Sequence, residues 1–267
     1  VVLPITTREL IELSKYKSRF QSMGVCVVVS ELEGLSVAND KGQLHRFAND
    51  LGIPVPEGRY CDSRECLRSC SQDLFRRHDQ LFFKPVLGNG SRGIGKITKS
   101  VELSENEKSG LVSRTLDEWC VRLPEKPTTP WLLTEYLPGM EFSVDAYIAN
   151  GDVLVNIPRS RDKMISGISV SGTFVQHQQI IDYTERLIQN LGLEGPIGVQ
   201  WRMDGEGAPK LLEINPRLQG TTSTLRHAGI NIPLIAVKKA LGMKVSIPKD
   251  VKWGRKFTRH WKDVFLA

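Results

Sequence analysis

The strongest constraint on the fold is a pair of alternating stretches joined by turn sequence. The run Pro209-Lys210-Leu211-Leu212-Glu213-Ile214-Asn215-Pro216-Arg217 carries Glu213, Asn215 and Arg217 at every second position. That is the period of a strand with one polar face. Ile197-Gly198-Val199-Gln200-Trp201-Arg202-Met203 is also strand-like, and Asp204-Gly205-Glu206-Gly207-Ala208 between the two runs is turn chemistry. Pairing Met203 with Lys210 sets Gln200 opposite Glu213, so Gln200, Glu213 and Asn215 form a small oxygen-rich patch. Mg²⁺ accepts such a set when substrate phosphates complete its shell. A hairpin whose solvated face is merely polar has the same pattern, so this segment alone leaves both readings open.

With 267 residues, 40% hydrophobic and 25% charged, the chain can bury a sizeable core in one or two domains. No run is long enough to cross a bilayer and no signal peptide is visible, so no membrane partner and a cytoplasmic location are expected. The formal charge of +6 is spread out. It suits small anionic molecules, and without an aromatic-plus-basic module no nucleic-acid partner is expected. The five cysteines are Cys26, Cys61, Cys66, Cys70 and Cys120. Their number is odd and none forms a Cys-x-x-Cys pair, so reduced thiols are expected. The spacing of Cys61, Cys66 and Cys70 fits no common zinc pattern. The chain opens on Val1 in what reads as the end of a strand, which suggests a piece of something longer.

Thr6-Thr7-Arg8-Glu9 predicts a capped helix and Val25-Cys26-Val27-Val28-Val29 a buried parallel strand, together half of a doubly wound lobe. Asn39 is the expected cap of a helix whose apolar face is Leu44, Phe47, Ala48 and Leu51, ending at Gly52 and leaving Lys41 free to point elsewhere. Leu81-Phe82-Phe83-Lys84-Pro85-Val86 reads as a strand, followed by Leu87-Gly88-Asn89-Gly90-Ser91-Arg92-Gly93-Ile94-Gly95-Lys96. That loop mimics two nucleotide motifs, a dinucleotide fingerprint from Gly88 to Gly93 and a phosphate loop from Gly90 to Lys96. Both need a helix to follow, whereas residues 97–103 are β-branched and predict a second strand. A glycine loop between antiparallel strands can still offer backbone N–H groups to phosphates; a plain mobile hairpin tip is the alternative.

Residues 105–119 show helical apolar spacing, and residues 124–130 are a proline-rich connector. Strands are predicted on either side of Pro138-Gly139 and of Asn150-Gly151. Arg159, Arg161 and Lys163 form a basic cluster in a loop ending at Gly167, which a merely solvated face explains equally well. A helix from Thr184 to Leu191 stops at Gly192, and Ile232 to Leu241 forms the last helix before a basic, aromatic tail.

Taken together, Lys84-Pro85 with its glycine loop, Glu135-Tyr136-Leu137-Pro138-Gly139-Met140-Glu141, and Gln200 with Glu213-Ile214-Asn215-Pro216-Arg217 resemble the ATP-grasp superfamily. The likeness is to carbamoyl-phosphate-synthase-like and carboxylate–amine ligase members, and it runs from about Asp40 to Leu241. It implies an α+β fold of two lobes clamping ATP, preceded by a partial α/β Rossmann-like lobe. The boundaries it suggests are 1–38 for that remnant, 39–130 for the small lobe and 131–267 for the large lobe. Carried over by position, Lys41 and Lys84 contact phosphates, while Ser91 and Gly93 cover them. Glu135, Tyr136 and Leu137 edge the adenine, Glu141 takes the ribose, and Gln200, Glu213 and Asn215 hold Mg²⁺, with Mn²⁺ as an alternative.

Arg217, Lys84 and Arg161 are the catalytic candidates, with Arg159, Arg161 and Arg226 considered for gripping a carboxylate. The implied activity is a ligase that turns a carboxylate or bicarbonate into an acyl phosphate for attack by an amine, so its partners are small molecules. A homo-oligomer or an absent N-terminal segment is compatible with the pattern. A non-catalytic ATP-binding regulatory module and a small-molecule kinase on the same scaffold are the rival readings.

Overall fold

The alternating runs do become strands, and the chain around them divides into two compact units. The computed structural model describes residues 1–88, 93–100, 111–165, 167–248, 250–260 and 265. In chain order these form α1 (Leu10–Lys15), α2 (Lys17–Ser22), α3 (Leu32–Asn39), α4 (Lys41–Asp50), β1 (Gly58–Cys61), α5 (Arg64–Leu74), β2 (Gln80–Pro85), β3 (Gly95–Thr98), β4 (Ser113–Thr115), α6 (Leu116–Arg122) and β5 (Trp131–Glu135). There follow β6 (Glu141–Ala149), β7 (Asp152–Ser160), β8 (Lys163–Ile165), β9 (Ile168–Thr173), α7 (Gln178–Asn190), β10 (Gly195–Met203), β11 (Pro209–Asn215), α8 (Ile232–Ala240) and β12 (Lys256–Thr258). The first unit comprises Val1–Ser36, Met140–Trp201 and Ile214–Ala267, and the second Val37–Gly139 and Arg202–Glu213.

In the first unit, β6 and β7 form the hairpin that Asn150-Gly151 predicts. Asn150 (φ 54°) and Gly151 (φ 80°) take the left-handed backbone that a tight two-residue turn requires. These strands belong to a sheet of order β11-β10-β6-β7, in which residues 202–203 of β10 and 209–213 of β11 belong to the second unit. A three-stranded sheet β12-β9-β8 draws on the aromatic tail, where Phe257 pairs with Gly172 and packs on Phe174 at 5.8 Å between ring centres. The N-terminal stretch is slighter than a lobe: one parallel bridge, Val2 to Val27, beside α1 and α2. It does not confirm the expected Rossmann-like half. The basic cluster is not a loop either, because Arg159 lies on β7 and Lys163 on β8.

The second unit is built on a sheet of order β1-β5-β2-β3-β4. Its core is Cys61, Leu67, Leu74, Leu81, Phe83, Ile97, Trp131 and Leu133, and each large apolar side chain buried there contributes about 1.5–3 kcal/mol. β2 and β3 pair antiparallel from Gln80↔Thr98 to Phe83↔Gly95, so the glycine loop joins two strands and both nucleotide mimics fail for want of a helix. Gly95 has a packing reason of its own: a Cβ there meets Phe83 and Trp119, themselves edge-to-face at 5.0 Å, at 2.5 Å. Of the helix expected over 105–119, residues 105–110 lie outside those described; among the described residues 113–115 are strand and α6 starts at Leu116, capped by a Thr115–Glu118 box. Among the described residues no helix is long and apolar enough to cross a membrane.

Asp40, not Asn39, caps α4, accepting from the N–H groups of Gly42 and Gln43, because Asn39 is already the last residue of α3. The buried face of α4 is Lys41, Leu44, His45 and Ala48. His45 donates its Nε2–H to the Leu212 carbonyl at 3.3 Å. Burial first, then the Lys84 charge and more weakly that of Lys41, bring His45 from 6.5 down to about 3. Above pH 6.5 His45 is neutral whether the chain is folded or not. Below that the unfolded chain takes up a proton that the folded one refuses until about pH 3. Stability therefore falls across this window by about 1.4 kcal/mol per pH unit. Urea unfolding at pH 6.5, 5.5 and 4.5 is expected to show this slope in the parent and to lose it in His45→Gln; identical slopes would contradict the assignment.

Candidate active site

Two lysines and a glutamate come together within the second unit. Lys41 opens α4 and is 7% exposed; Lys84 lies on β2 and is 9% exposed. A buried ammonium needs oxygen partners to offset its lost hydration, and both lysines have them. Lys84 Nζ donates to the Leu212 carbonyl at 2.9 Å, and Lys41 Nζ to the Gly88 carbonyl at 2.8 Å. Lys41 Nζ also stands 3.7 Å from a carboxylate oxygen of Glu213. Glu213 follows Leu212 on β11, so one short stretch supplies a carbonyl to one lysine and a carboxylate to the other. The expectation that Lys41 points away from the packed face of α4 is overturned, since it is buried on that face.

The end of β5 carries a second polar group. Glu135 accepts the Glu57 N–H at 2.9 Å, and His78 and Lys210 stand 3.8 and 3.9 Å from its carboxylate. Glu57 is itself clasped by Arg77 (2.6 Å) and His78 (2.8 Å), which hold its carboxyl down at about 2. The Tyr136 ring has Lys96 at 4.5 Å and Arg202 at 5.3 Å from its centre, a cation–π arrangement. The Tyr136 N–H is committed to the Gln80 carbonyl at 3.0 Å. Leu137 beside it is 4% exposed. Gly93 holds a left-handed φ of 67°, and Ser91 falls outside the described residues.

In the first unit, Arg161 Nε lies 3.0 Å from the Glu141 carboxylate, and its Nη1 donates to Ser143 Oγ at 3.0 Å. Arg159 is not placed to grip a substrate. Its side chain is 0% exposed, paired with Asp145 at 2.9 Å and bonded to Ser169 and Thr221. Arg226 is exposed. Arg217 donates to Asn215 Oδ1 at 3.2 Å and to Thr7 Oγ1 at 3.2 Å. Asn215 shares β11 with Glu213, two residues apart on one polar face, and half-buried Gln200 lies on the neighbouring strand β10.

As a donor set, one carboxylate and two amide oxygens suit a hard cation. An amide oxygen has two lone pairs, so Asn215 can accept from Arg217 and still ligate. Sequence reasoning missed His45, Glu57, His78 and Lys210, for each is a lone charged or polar residue outside any spaced pattern.

Residues 127–261 match the family model described as "ATP-grasp in the biosynthetic pathway with Ter operon". The chain is 30% identical over 245 residues to the carbamoyl phosphate synthase large chain of Thermus thermophilus, a span that covers 85% of this chain and 22% of that protein. It thus spans about a fifth of the length of the curated relatives it matches. Among solved structures it is similar to a biotin carboxylase in complex with β-γ-ATP from Campylobacter jejuni, with a TM-score of 0.70 at 15% identity over 92% of this chain and 56% of that one. It is also similar to an L-amino acid ligase from Bacillus licheniformis, with a TM-score of 0.61 at 16% identity over 88% of this chain and 54% of that one. The family match takes in half of the sequence and the fold agrees with it: the protein belongs to the ATP-grasp family.

Proposed function

We propose that this chain is the nucleotide-binding and catalytic part of an ATP- and Mg²⁺-dependent ligase, carbon–nitrogen bond formation being its preferred outcome. The observation that carries the reading is the pair of buried lysines, each held by a backbone carbonyl, with Glu213 beside Lys41. Buried cations poised on exchangeable carbonyl partners suit polyphosphate oxygens, which can replace those partners at little cost. The likeness to a biotin carboxylase solved with β-γ-ATP supports the same choice of nucleotide.

In this reading Lys41 and Lys84 neutralise phosphate oxygens. The Tyr136 N–H already has its partner, so the adenine edge falls to the Tyr136 carbonyl, the Leu137 backbone and the neighbouring Glu135. Glu141 receives the ribose hydroxyls, and Arg161, which clasps it, orients it. Glu213, Asn215 and Gln200 would hold Mg²⁺, which supplies charge neutralisation at the phosphates when bound. Arg217 steadies the transferred phosphoryl group while a carboxylate or bicarbonate oxygen attacks the γ-phosphorus and the bond to ADP breaks. An amine then attacks the acyl carbon, giving up a proton as inorganic phosphate leaves. Phosphoryl transfer depends mainly on positioning and charge stabilisation, and these residue types supply both.

Two outcomes test the reading. Glu213→Gln is expected to keep its fold and to lose substrate-dependent ADP release on the order of 10²-fold, measured with bicarbonate and a panel of carboxylates and amines. Undiminished turnover would remove Glu213 from the chemistry. Lys84→Met is expected to remain folded, because the Leu212 carbonyl keeps His45 as a donor. Its Mg-ATP affinity should fall by about 2 kcal/mol, read as a smaller ligand-induced rise in melting temperature. A full rise in the variant would show that Lys84 is no phosphate ligand.

A further inference from the structure

Three thiols that no sequence motif links converge at the edge of the second unit's core. Cys61 ends β1, and Cys66 and Cys70 lie one turn apart on α5. Their three sulfur atoms lie within 4.8 Å of one another, and those of Cys66 and Cys70 are 3.9 Å apart. Helical geometry sets the last two side by side. The first is fixed independently, because Cys61 pairs with Trp131 in the sheet. Apolar packing accounts for Cys61, which is 0% exposed, but Cys66 and Cys70 are only half-buried and leave a route from solvent.

We propose that Cys61, Cys66 and Cys70 form a binding site for a thiophilic d¹⁰ cation of the Zn²⁺ class, held by three sulfurs with a fourth position open to a solvent or small-molecule ligand. At a zinc–sulfur distance of about 2.3 Å, sulfurs on a tetrahedral ion stand roughly 3.8 Å apart. The 3.9 Å between Cys66 and Cys70 already matches, and the 4.8 Å limit on the others leaves only a small contraction. A disulfide asks for about 2.0 Å, which demands far more movement. Binding exchanges three S–H bonds for three metal–sulfur bonds and releases three protons, with no change of oxidation state. The ion would staple strand β1 to helix α5.

The test is titration of the reduced, metal-free full chain with Cd²⁺ as a spectroscopic probe and with Zn²⁺. One equivalent of Cd²⁺ is expected to produce the sulfur-to-cadmium charge-transfer band in the ultraviolet, and one equivalent of Zn²⁺ to raise the melting temperature. Cys66→Ser and Cys70→Ser, at half-buried positions that tolerate a hydroxyl, should each weaken binding on the order of 100-fold. Cys26→Ser, at an exposed thiol outside the cluster, should leave it unchanged. Absence of the band at stoichiometric Cd²⁺, or an undiminished band in the Cys66→Ser/Cys70→Ser variant, would overturn the proposal.

Discussion

One backbone carbonyl organises the polar interior of the second unit. The Leu212 oxygen accepts both the Lys84 ammonium and the His45 ring N–H, two buried groups from β2 and α4. An ammonium removed from water costs several kcal/mol unless oxygen surrounds it, so the placing of β11 beside β2 and α4 is what makes these residues tolerable. Burial first, and then the charges of Lys84 and Lys41, keep His45 neutral down to about pH 3, so it meets the Leu212 carbonyl as a neutral ring donating its N–H. The next residue on that strand, Glu213, offsets the charge of Lys41.

This arrangement gives the proposed reaction a physical rationale. Carbonyls and one carboxylate hold the lysine cations in place, so little reorganisation is needed when phosphate oxygens arrive in their stead. The first unit shows a contrasting use of charge. Arg159 is consumed in a closed network with Asp145, Ser169 and Thr221, which rigidifies a core and leaves nothing to offer a ligand. Arg161 and Arg217 stand between these cases, each bonded to a residue with a proposed role, Glu141 and Asn215.

Much of this was legible in the sequence where the signal is local. The alternation of Glu213 and Asn215, the Asn150-Gly151 turn, and the strand that follows the glycine loop each follow from backbone preferences over a few residues; β11 ends at Asn215 with Arg217 beyond it, and β3 ends at Thr98. Interactions that depend on distant partners were not legible. Lys84 meets Leu212 across 128 residues, and Arg159 meets Thr221 across 62, so no window on the chain could tell a lysine bonded to a backbone carbonyl from an arginine closed into a side-chain network. The convergence of Cys61, Cys66 and Cys70 was not legible for a related reason: a strand end and a helix face bring together thiols that match no linear pattern. The cap of α4 shifted from Asn39 to Asp40 because α3, with few sequence signals of its own, already uses Asn39.

The central claim is that Lys41 and Lys84 exist to meet phosphates. Calorimetric titration with ATP, ADP and AMP in the presence of Mg²⁺, on the parent and on Lys41→Met/Lys84→Met, addresses it most directly. The parent is expected to bind ATP on the order of 100-fold more tightly than AMP, given a few charge-assisted contacts to the terminal phosphates. In the double variant that preference should collapse towards unity while AMP affinity stays where it was. A double variant that still prefers ATP by the parental factor, or a parent that binds AMP as well as ATP, would contradict the account.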